Sequence, residues 1–256
     1  MILFETIEGV GKITLNRPDK FHSVVRELAL ELQNVLDQCQ QNNDIRAVLI
    51  TATGKAFCAG QDLGEATAPN APNITKIIQE HYNPIIRKIR NLEKPVIAAV
   101  NGVAAGAGAS IALCCDIVVA KESATFIQAF SKIGLIPDSG ATYFVPRLIG
   151  IQKAAAIMMS ADPITATEAA KMGMIYKVYS DETFESESWK LVSKLSKMPT
   201  KGLALTKQLL NASHTNSLEE QLAMEENCQK IAADTEDFQE GVNAFLEKRK
   251  PKFKGK

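Results

Sequence analysis

The hydrophobic positions in the first half of the chain follow two different spacings in turn. Residues 1–16, MILFETIEGVGKITLN, alternate between apolar and polar positions around Gly9 and Gly11, which predicts a pair of strands. A further strand is predicted for RAVLITA, residues 46–52. Between the strands, apolar residues recur at helical spacing and define one helix face: Phe21, Val24, Val25, Leu28, Leu32, Val35 and Leu36.

Three later apolar runs are short and do not alternate with polar positions. They comprise residues 95–102, 116–120 and 124–128, and turn-forming residues bound them. Continuous apolar strands separated by helices are typical of a sheet that is covered on both faces. The pattern therefore predicts an α/β fold.

The C-terminal part of the chain has helical spacing almost throughout. Ser217 and Glu220 form a capping-box sequence ahead of the last long helix that the pattern predicts. We divide the chain into a core, residues 1–195, and a helical C-terminal region with a basic tail, residues 196–256. The predicted helices of this part cover residues 150–161, 165–173, 184–198, 200–213 and 217–233.

Composition limits the classes of function. The chain has 256 residues, 46% of them hydrophobic, and is long enough to bury a sizeable core. Lysine plus arginine and aspartate plus glutamate number 29 each, so the zero net charge predicts no general attraction to nucleic acid or acidic membranes. Neither a secretory signal nor a membrane span is predicted, because no basic region precedes a long apolar stretch and no run of about 18 apolar residues occurs.

Cysteines and histidines bear on location and on metal binding. An odd number of cysteines without a Cys-x-x-Cys pair favours a reducing, cytoplasmic setting. The three histidines, His22, His81 and His214, are scattered without metal-ligand spacing, so no metal site is predicted. The five cysteines are Cys39, Cys58, Cys114, Cys115 and Cys228.

Two segments differ in composition from their surroundings. Residues 63–76, LGEATAPNAPNITK, predict a mobile loop, which is either the rim of a pocket or a plain surface connection. The tail, residues 247–256, has six basic residues and one acid among its ten, which is typical of a solvated chain end.

Two glycine-containing segments follow predicted strands and are candidates for ligand binding. In KAFCAGQDLGE, residues 55–65, Gly60 allows a turn that leaves the N–H of Gln61 free to point at a ligand. NGVAAGAGASIALCCD, residues 101–116, opens an apolar helix with small residues that let a ligand approach. Two such N–H donors on one carbonyl oxygen would stabilise negative charge there, as an oxyanion hole does. Close packing of helix against strand is the alternative interpretation of the second segment.

Other catalytic motifs are missing. Neither segment is a GxGxxG or P-loop sequence, so a nucleotide site is not favoured. Ser139 precedes a glycine without the rest of a GxSxG elbow, which disfavours a Ser-His-Asp triad. Asp138 lies in SKIGLIPDSGAT, residues 131–142, ahead of a predicted helix, where it could cap that helix or transfer protons.

An ordered set of segments resembles the crotonase, or enoyl-CoA hydratase/isomerase, superfamily. The resemblance implies a spiral core of repeated ββα units and a helical C-terminal region that builds trimers, often paired into hexamers. It also implies acyl-CoA thioester substrates and no metal or redox cofactor, since coenzyme A is part of the substrate. The segments that carry the resemblance are residues 13–24, 46–63, 94–120 and 130–150 and the helical C-terminal part.

The resemblance assigns roles to individual residues. The backbone N–H groups of Gln61 and Ala107 would bind the thioester oxygen. Lys248, in the basic tail, would approach the coenzyme A of a neighbouring subunit, together with Phe245, Lys252 and Phe253. For Asp62 a role as cap or loop-ordering residue is favoured, and Asp116 is interpreted as structural. His22 stands where asparagine is common and has no assigned chemical role. The implied substrate- or CoA-binding positions are Lys20, Phe21, Cys58, Gly60, Asp62, Leu63, Gly106, Phe130 and Lys248.

Departures from the family pattern indicate the reaction. Hydratases of the family use two glutamates to activate water, and Ser110 and Phe130 stand at those positions here. Asp138 remains, where members that isomerise dienoyl-CoA thioesters also carry an aspartate. The chain is most similar to the branch that rearranges ring-1,2-epoxyphenylacetyl-CoA to the oxepin form, although Ala141 replaces a glycine usual in that branch.

We therefore expect an acyl-CoA isomerase in which Asp138 is the acid/base. A pocket walled by Phe130, Ile133, Leu135 and Ile136 is expected to raise the pKa of Asp138 by desolvation. A Δ3,Δ2-enoyl-CoA isomerase of fatty-acid oxidation is an alternative with the same residues. A non-catalytic crotonase-fold module that binds CoA or protein is an alternative of another class.

Overall fold

A computed structural model describes residues 1–256 as ten strands and twelve α-helices. The strands are β1 (Ile2–Ile7), β2 (Val10–Leu15), β3 (Ala47–Ala52), β4 (Ala56–Cys58), β5 (Val96–Val100), β6 (Val103–Ala105), β7 (Ile117–Lys121), β8 (Thr125–Ile127), β9 (Ile164–Thr165) and β10 (Lys177–Tyr179). The helices are α1 (Arg26–Gln41), α2 (Leu63–Ala66), α3 (Ile74–Ile77), α4 (Asn83–Asn91), α5 (Ala107–Leu113), α6 (Ala141–Ile149), α7 (Ile151–Ser160), α8 (Ala166–Lys171), α9 (Phe184–Ser196), α10 (Thr200–Ala212), α11 (Leu218–Ala233) and α12 (Glu236–Leu246).

Six strands form the larger sheet, in the order β1-β2-β3-β5-β7-β10. β1 and β2 are antiparallel and the other neighbours are parallel. The hairpin turns at Glu8 and Gly9, whose φ angles of 48° and 82° are those that a tight two-residue hairpin requires. The strand pair predicted around Gly9 is confirmed.

The smaller sheet has the order β4-β6-β8-β9 and arises from a repeat along the chain. Each of β3, β5 and β7 lies in the larger sheet and is followed at once by β4, β6 or β8 in the smaller one. A helical segment then leads back to the next strand of the larger sheet. This is the expected spiral of ββα units, and it places the ends of β4 and β6 side by side.

Helices cover both faces of the larger sheet, as the apolar runs predicted. Val48 and Ile50 of β3 belong to the main core, together with residues of α1, α4 and α5. Leu49, between them, faces the other way and packs in a second core with Val192 of α9. Because successive side chains of a strand point to opposite faces, a strand buried on both must be apolar throughout.

The first helix is shorter than its apolar pattern predicted. α1 begins at Arg26, so Phe21, Val24 and Val25 precede it, and Phe21 is 54% exposed. Pro18 starts a 3₁₀ turn at residues 18–20, and the next two residues have φ angles of 49° and 54°, which are incompatible with a helix. The turn thus diverts the chain before α1 can begin.

Two further differences lie outside the strands. The segment 63–76, predicted as one loop, holds α2 and the start of α3, which the Asp62 and Asn73 side chains cap. α12 follows the helix at 217–233, which the pattern predicts as the last long one, so it is an additional helix. Its N-cap is Thr235, whose hydroxyl accepts the N–H of Phe238 at 3.1 Å. The other C-terminal helices are confirmed within a few residues.

No helix of the protein is both long enough and apolar enough to cross a membrane.

Candidate active site

Two loops meet where β4 and β6 end. We call residues 59–62 the Gly60 loop and residues 106–108 the Gly106 loop. A Cβ atom built on Gly108 would lie 2.2 Å from the carbonyl oxygen of Cys58, and one built on Gly60 would lie 2.9 Å from that of Ala105. Only residues without a Cβ allow the two backbones to approach so closely. The close-packing interpretation of the small residues is therefore correct, and it brings the two candidate donor loops together.

Both predicted backbone donors are free. Val24 lies opposite Gln61 in a parallel bridge, but its hydrogen bonds go to the residues on either side of Gln61. The N–H of Val24 donates to Gly60 O at 2.7 Å, and the N–H of Asp62 donates to Val24 O at 3.0 Å. In this parallel pairing the N–H of Gln61 has no intramolecular acceptor. Ala107 is the first residue of α5, where N–H groups have no partner within the helix. Its nitrogen would be 3.3 Å from a Cβ on Gly60, so the two donors belong to touching loops.

A hydrogen-bond network attaches the Gly60 loop to residues 17–23, which we call the Arg17 turn. The Asp62 carboxylate accepts from the guanidinium of Arg17 at 2.6 Å and from the hydroxyl of Ser23 at 3.2 Å. It also accepts the N–H of Glu65 at 3.2 Å and so caps α2. The hydrogen bond from Arg17 is the main cause that lowers the pKa of Asp62. These contacts fit the favoured role of Asp62 as a cap and loop-ordering residue.

Glu65 provides a second attachment, which sequence reasoning missed. Its carboxylate accepts the N–H of Arg26 at 3.0 and 3.1 Å. Because Val25 has no side chain that could cap α1, Glu65 serves as the cap from another part of the chain. The Gln61 side-chain amide donates to the same carboxylate at 3.5 Å, so the Gly60 loop, α2 and α1 are joined.

His22 supports the Arg17 turn and is fully buried. Its Nδ1 accepts the N–H of Arg17 at 2.9 Å, so Nε2 carries the proton and donates to Thr53 O at 2.8 Å. Burial lowers the pKa of His22 and favours this neutral form. The N–H of Ala59 donates to Phe21 O at 2.9 Å, which brings the exposed Lys20 and Phe21 beside the Gly60 loop. The residue without an assigned role thus has a structural one.

This arrangement predicts a pH-dependent contribution of His22 to stability. The folded state holds the imidazole neutral, whereas the unfolded chain protonates it near its ordinary pKa of about 6.5. The contribution is therefore complete above that pH and is lost as the pH falls through it toward the lowered pKa of the folded state. We expect the urea midpoint of the protein to fall more between about pH 7.5 and about pH 5.5 than that of His22→Asn.

Asparagine is the matched control because it retains one donor and one acceptor and tolerates a positive φ angle. The pKa of His81 is also lowered by burial, but this contribution is common to both proteins. An identical pH dependence in the two proteins would contradict the role given to His22.

Asp138 lies between a proline and a backbone turn with two positive φ angles, 53° at Ser139 and 76° at Gly140. Gly140 is the N-cap residue of α6, and no side chain caps that helix. The Asp138 carboxylate therefore does not act as a helix cap. It accepts the hydroxyl of Ser139 at 2.9 Å, and burial raises its pKa, as expected.

The expected wall of the Asp138 pocket is only partly present. Phe130 is buried, and a Cβ on Gly106 would lie 3.9 Å from its ring, so it does contact the Gly106 loop. Ile133, Leu135 and Ile136 are exposed in the single chain, Ile136 by 80%, and this part of the prediction is wrong. The 3₁₀ turn at residues 129–133 ends at Gly134, which has a φ angle of 72°. The two residues that follow it lie exposed on the protein surface.

The other predicted site residues have varied surroundings. Cys58 is buried, with its thiol 3.2 Å from His22 O, and Leu63 is exposed. Ser110 is buried in α5 and donates its hydroxyl to Gly106 O at 3.2 Å, so it supports the Gly106 loop from within. Asp116 accepts from Arg90 at 3.0 Å and from Lys207 at 2.8 Å, which agrees with its structural interpretation.

The basic tail lies along α12 of its own chain. The Asp237 carboxylate accepts the N–H groups of Lys254 and Gly255 at 2.6 and 2.8 Å, and Arg249 pairs with Glu240. Lys248 is exposed and has no hydrogen bond to either loop of the site. Its approach to the coenzyme A of a neighbouring subunit stays a prediction.

Comparison with known families identifies the fold and the general chemistry. A family model described as enoyl-CoA hydratase/isomerase matches residues 5–256. The chain belongs to the enoyl-CoA hydratase/isomerase family. It is thus an enzyme of the crotonase fold, whose chemistry concerns acyl-CoA thioesters.

Relatives within the family have different reactions. The chain is 44% identical to 1,2-epoxyphenylacetyl-CoA isomerase of Escherichia coli, over all of this chain and 98% of the relative. It is 33% identical to trans-2-decenoyl-[acyl-carrier-protein] isomerase of Streptococcus mutans, with the same coverage. The crystal structure of an enoyl-CoA hydratase from Bacillus anthracis superposes with a TM-score of 0.93 at 32% identity, covering 100% of this chain and 99% of that one. Because the family contains isomerases and hydratases, the residues of the site must distinguish between them.

Proposed function

We propose that this crotonase-family enzyme is an acyl-CoA isomerase that rearranges ring-1,2-epoxyphenylacetyl-CoA to its oxepin form. The observation that carries the proposal is the Asp138 carboxylate, which is half-buried, has a raised pKa and caps no helix. Ser110 and Phe130 occupy the positions where the family's hydratases would hold their glutamates. A relative at 44% identity is named for this reaction and supports the choice.

The free N–H groups of Gln61 and Ala107 would receive the thioester oxygen. When a proton leaves C2 of the acyl chain, the electron pair moves onto that oxygen, and two donors stabilise the enolate more than the neutral thioester. Stabilisation that increases as charge develops lowers the barrier to proton removal. The Gly60 loop and the Gly106 loop supply this without any catalytic side chain.

Asp138 would remove the proton and later return it. It takes the C2 proton as a carboxylate. The bond shared by the epoxide and the six-membered ring opens to give the seven-membered oxepin, and the carboxylic acid then protonates a ring carbon. The atoms of substrate and product are the same, so no water or second reactant enters. A raised pKa suits a group that must act as base and then as acid.

The proposal predicts a preference that steady-state kinetics can measure. We expect kcat/KM for ring-1,2-epoxyphenylacetyl-CoA to exceed that for an unbranched 3-enoyl-CoA by about tenfold or more, since pocket shape commonly discriminates by such factors. The ultraviolet absorption of the conjugated products follows both reactions. The reverse preference would assign the protein to the second candidate, a Δ3,Δ2-enoyl-CoA isomerase. That candidate is supported by the 33% identical relative, which is named as a trans-2-decenoyl-[acyl-carrier-protein] isomerase.

We further propose that the chain assembles as a homotrimer or as a dimer of trimers. Large apolar side chains remain exposed on its C-terminal helices, Leu218, Phe245 and Leu246 each by more than 70%. Apolar surface of this kind is typical of protein interfaces. Sedimentation of the protein measures its oligomeric state.

The kinetic comparison also tests the alternative of a binding module without catalysis, because such a module would not turn over any thioester.

A further inference from the structure

A single π-helical turn, residues 78–82, interrupts the helix between α3 and α4. Its cause is Pro84, which has no N–H to donate to the carbonyl of Glu80 four residues before it. The N–H of Asn83 instead donates five residues back, to Ile78 O. The Gln33 side chain donates to Glu80 O at 2.8 Å, so the carbonyl that Pro84 leaves without a donor has a hydrogen-bond partner. Such turns often occur at functional sites because they redirect the side chains that follow.

The last residue of this turn is Tyr82, which is buried and contacts the Gly60 loop. Its hydroxyl donates to Oε1 of Gln61 at 2.8 Å. The Nε2 of the same amide faces the Glu65 carboxylate at 3.5 Å. Gln61 is therefore held from two sides by its side chain, while its own N–H stays free.

The Gly60 loop needs such support. Gly60 has a φ angle of 86°, which glycine adopts readily because it has no Cβ, and its backbone is less restricted than that of other residues. It directly precedes the peptide N–H that would bind the substrate oxygen. The backbone bonds to Val24 are made by Gly60 and Asp62, on either side of Gln61. Three contacts hold the Gln61 side chain itself, and the one from Tyr82, at 2.8 Å, is the shortest. The side-chain amide also donates to Asp62 O at 3.3 Å and to the Glu65 carboxylate at 3.5 Å.

We propose that Tyr82 is a positioning residue that fixes the direction of the Gln61 N–H through its hydrogen bond to the Gln61 side chain. The reading of that N–H as a carbonyl donor rests on the proposed function. The phenol does not touch the reacting atoms. Burial first, and the nearby charge of Asp138 among others, raise the pKa of Tyr82, so it stays a neutral donor in the working range.

Tyr82→Phe removes only the hydroxyl and tests this directly. The probe is the CoA thioester of 4-(dimethylamino)cinnamic acid, whose absorption band moves to longer wavelength when its carbonyl is polarised. We expect the variant to shift this band less than the unaltered protein does. We also expect kcat to fall by about 3- to 10-fold with KM within about twofold, which is the loss of one neutral hydrogen bond.

Tyr179→Phe is the matched control, because Tyr179 is also buried but lies in β10, outside the site. In a Gln61→Leu background, Tyr82→Phe should change the band shift no further, since the partner of the hydroxyl is already gone. An unchanged band shift in a folded Tyr82→Phe protein would overturn the proposal, as would equal losses in both backgrounds. The spectral measurement needs no turnover, so it separates failure of this proposal from failure of the proposed isomerisation.

Discussion

Asp138→Asn is expected to reduce kcat for the isomerisation by about a thousandfold or more, while the affinity for CoA esters changes only a few-fold. Proton transfer by a positioned side chain commonly contributes factors of about 10² to 10⁴, and here one group would serve in both directions. Asparagine has the same shape and can still accept the hydroxyl of Ser139, so the turn should remain intact. Single-turnover rates and calorimetric binding of the product measure the two quantities.

The pH dependence gives the control for this prediction. If the carboxylate acts first as a base, kcat/KM falls as the pH falls through its raised pKa. Ser139→Ala removes a hydrogen bond that lowers this pKa, so it should move that limb to higher pH while activity is retained. An Asp138→Asn enzyme with more than a tenth of the normal kcat would rule out this role for Asp138.

Local patterns were sufficient for the strands and for the donor loops. The apolar runs at residues 47–50 and 96–100 have no polar position because both faces of β3 and β5 are buried there, and this is visible in the sequence alone. The glycines at 60 and 106 both have positive φ angles, which few other residues adopt without strain. Each of these features is determined by a few consecutive residues.

Contacts between distant parts of the chain could not be predicted in the same way. Glu65 caps a helix that begins at Arg26, and Asp62 binds Arg17, although neither pair has a sequence spacing that indicates contact. His22 and Tyr82 acquire their partners only when the spiral brings other segments beside them. The sequence therefore indicated Asp138 as a candidate acid, but it did not indicate the groups that hold the Gly60 loop.

The prediction for the wall of the Asp138 pocket was partly wrong for a related reason. Apolar residues at 133, 135 and 136 were expected to be buried because they are apolar, yet burial depends on what covers them. In the single chain, no other residues bury these three side chains. Phe130, in contrast, is held by a 3₁₀ turn against the Gly106 loop. The apolar character of these residues therefore predicted burial correctly for Phe130 and incorrectly for the residues at 133, 135 and 136.

Gly108→Ala is expected to be the most damaging substitution outside the acid itself. The added Cβ would lie 2.2 Å from Cys58 O, and neither backbone can yield without separating the Gly60 loop from the Gly106 loop. A displacement of about 1 Å at such a site commonly costs about 10²-fold in rate, and losing one oxyanion donor costs about 10²- to 10³-fold. We expect a loss of kcat in this range, together with a weaker shift of the dimethylaminocinnamoyl-CoA band.

Gly202→Ala separates this effect from the general cost of replacing a glycine. Gly202 lies within α10, and its added Cβ would meet nothing nearer than Pro199 at 3.8 Å, so the substitution should keep full activity and stabilise the helix slightly. If both alanine variants retained normal kcat and band shift, the two loops would not need their close approach. The carbonyl site would then have to be sought away from Gln61 and Ala107. A loss confined to Gly108→Ala would instead tie the rate to the distance between the loops, because the only change is the volume of one methyl group at their contact.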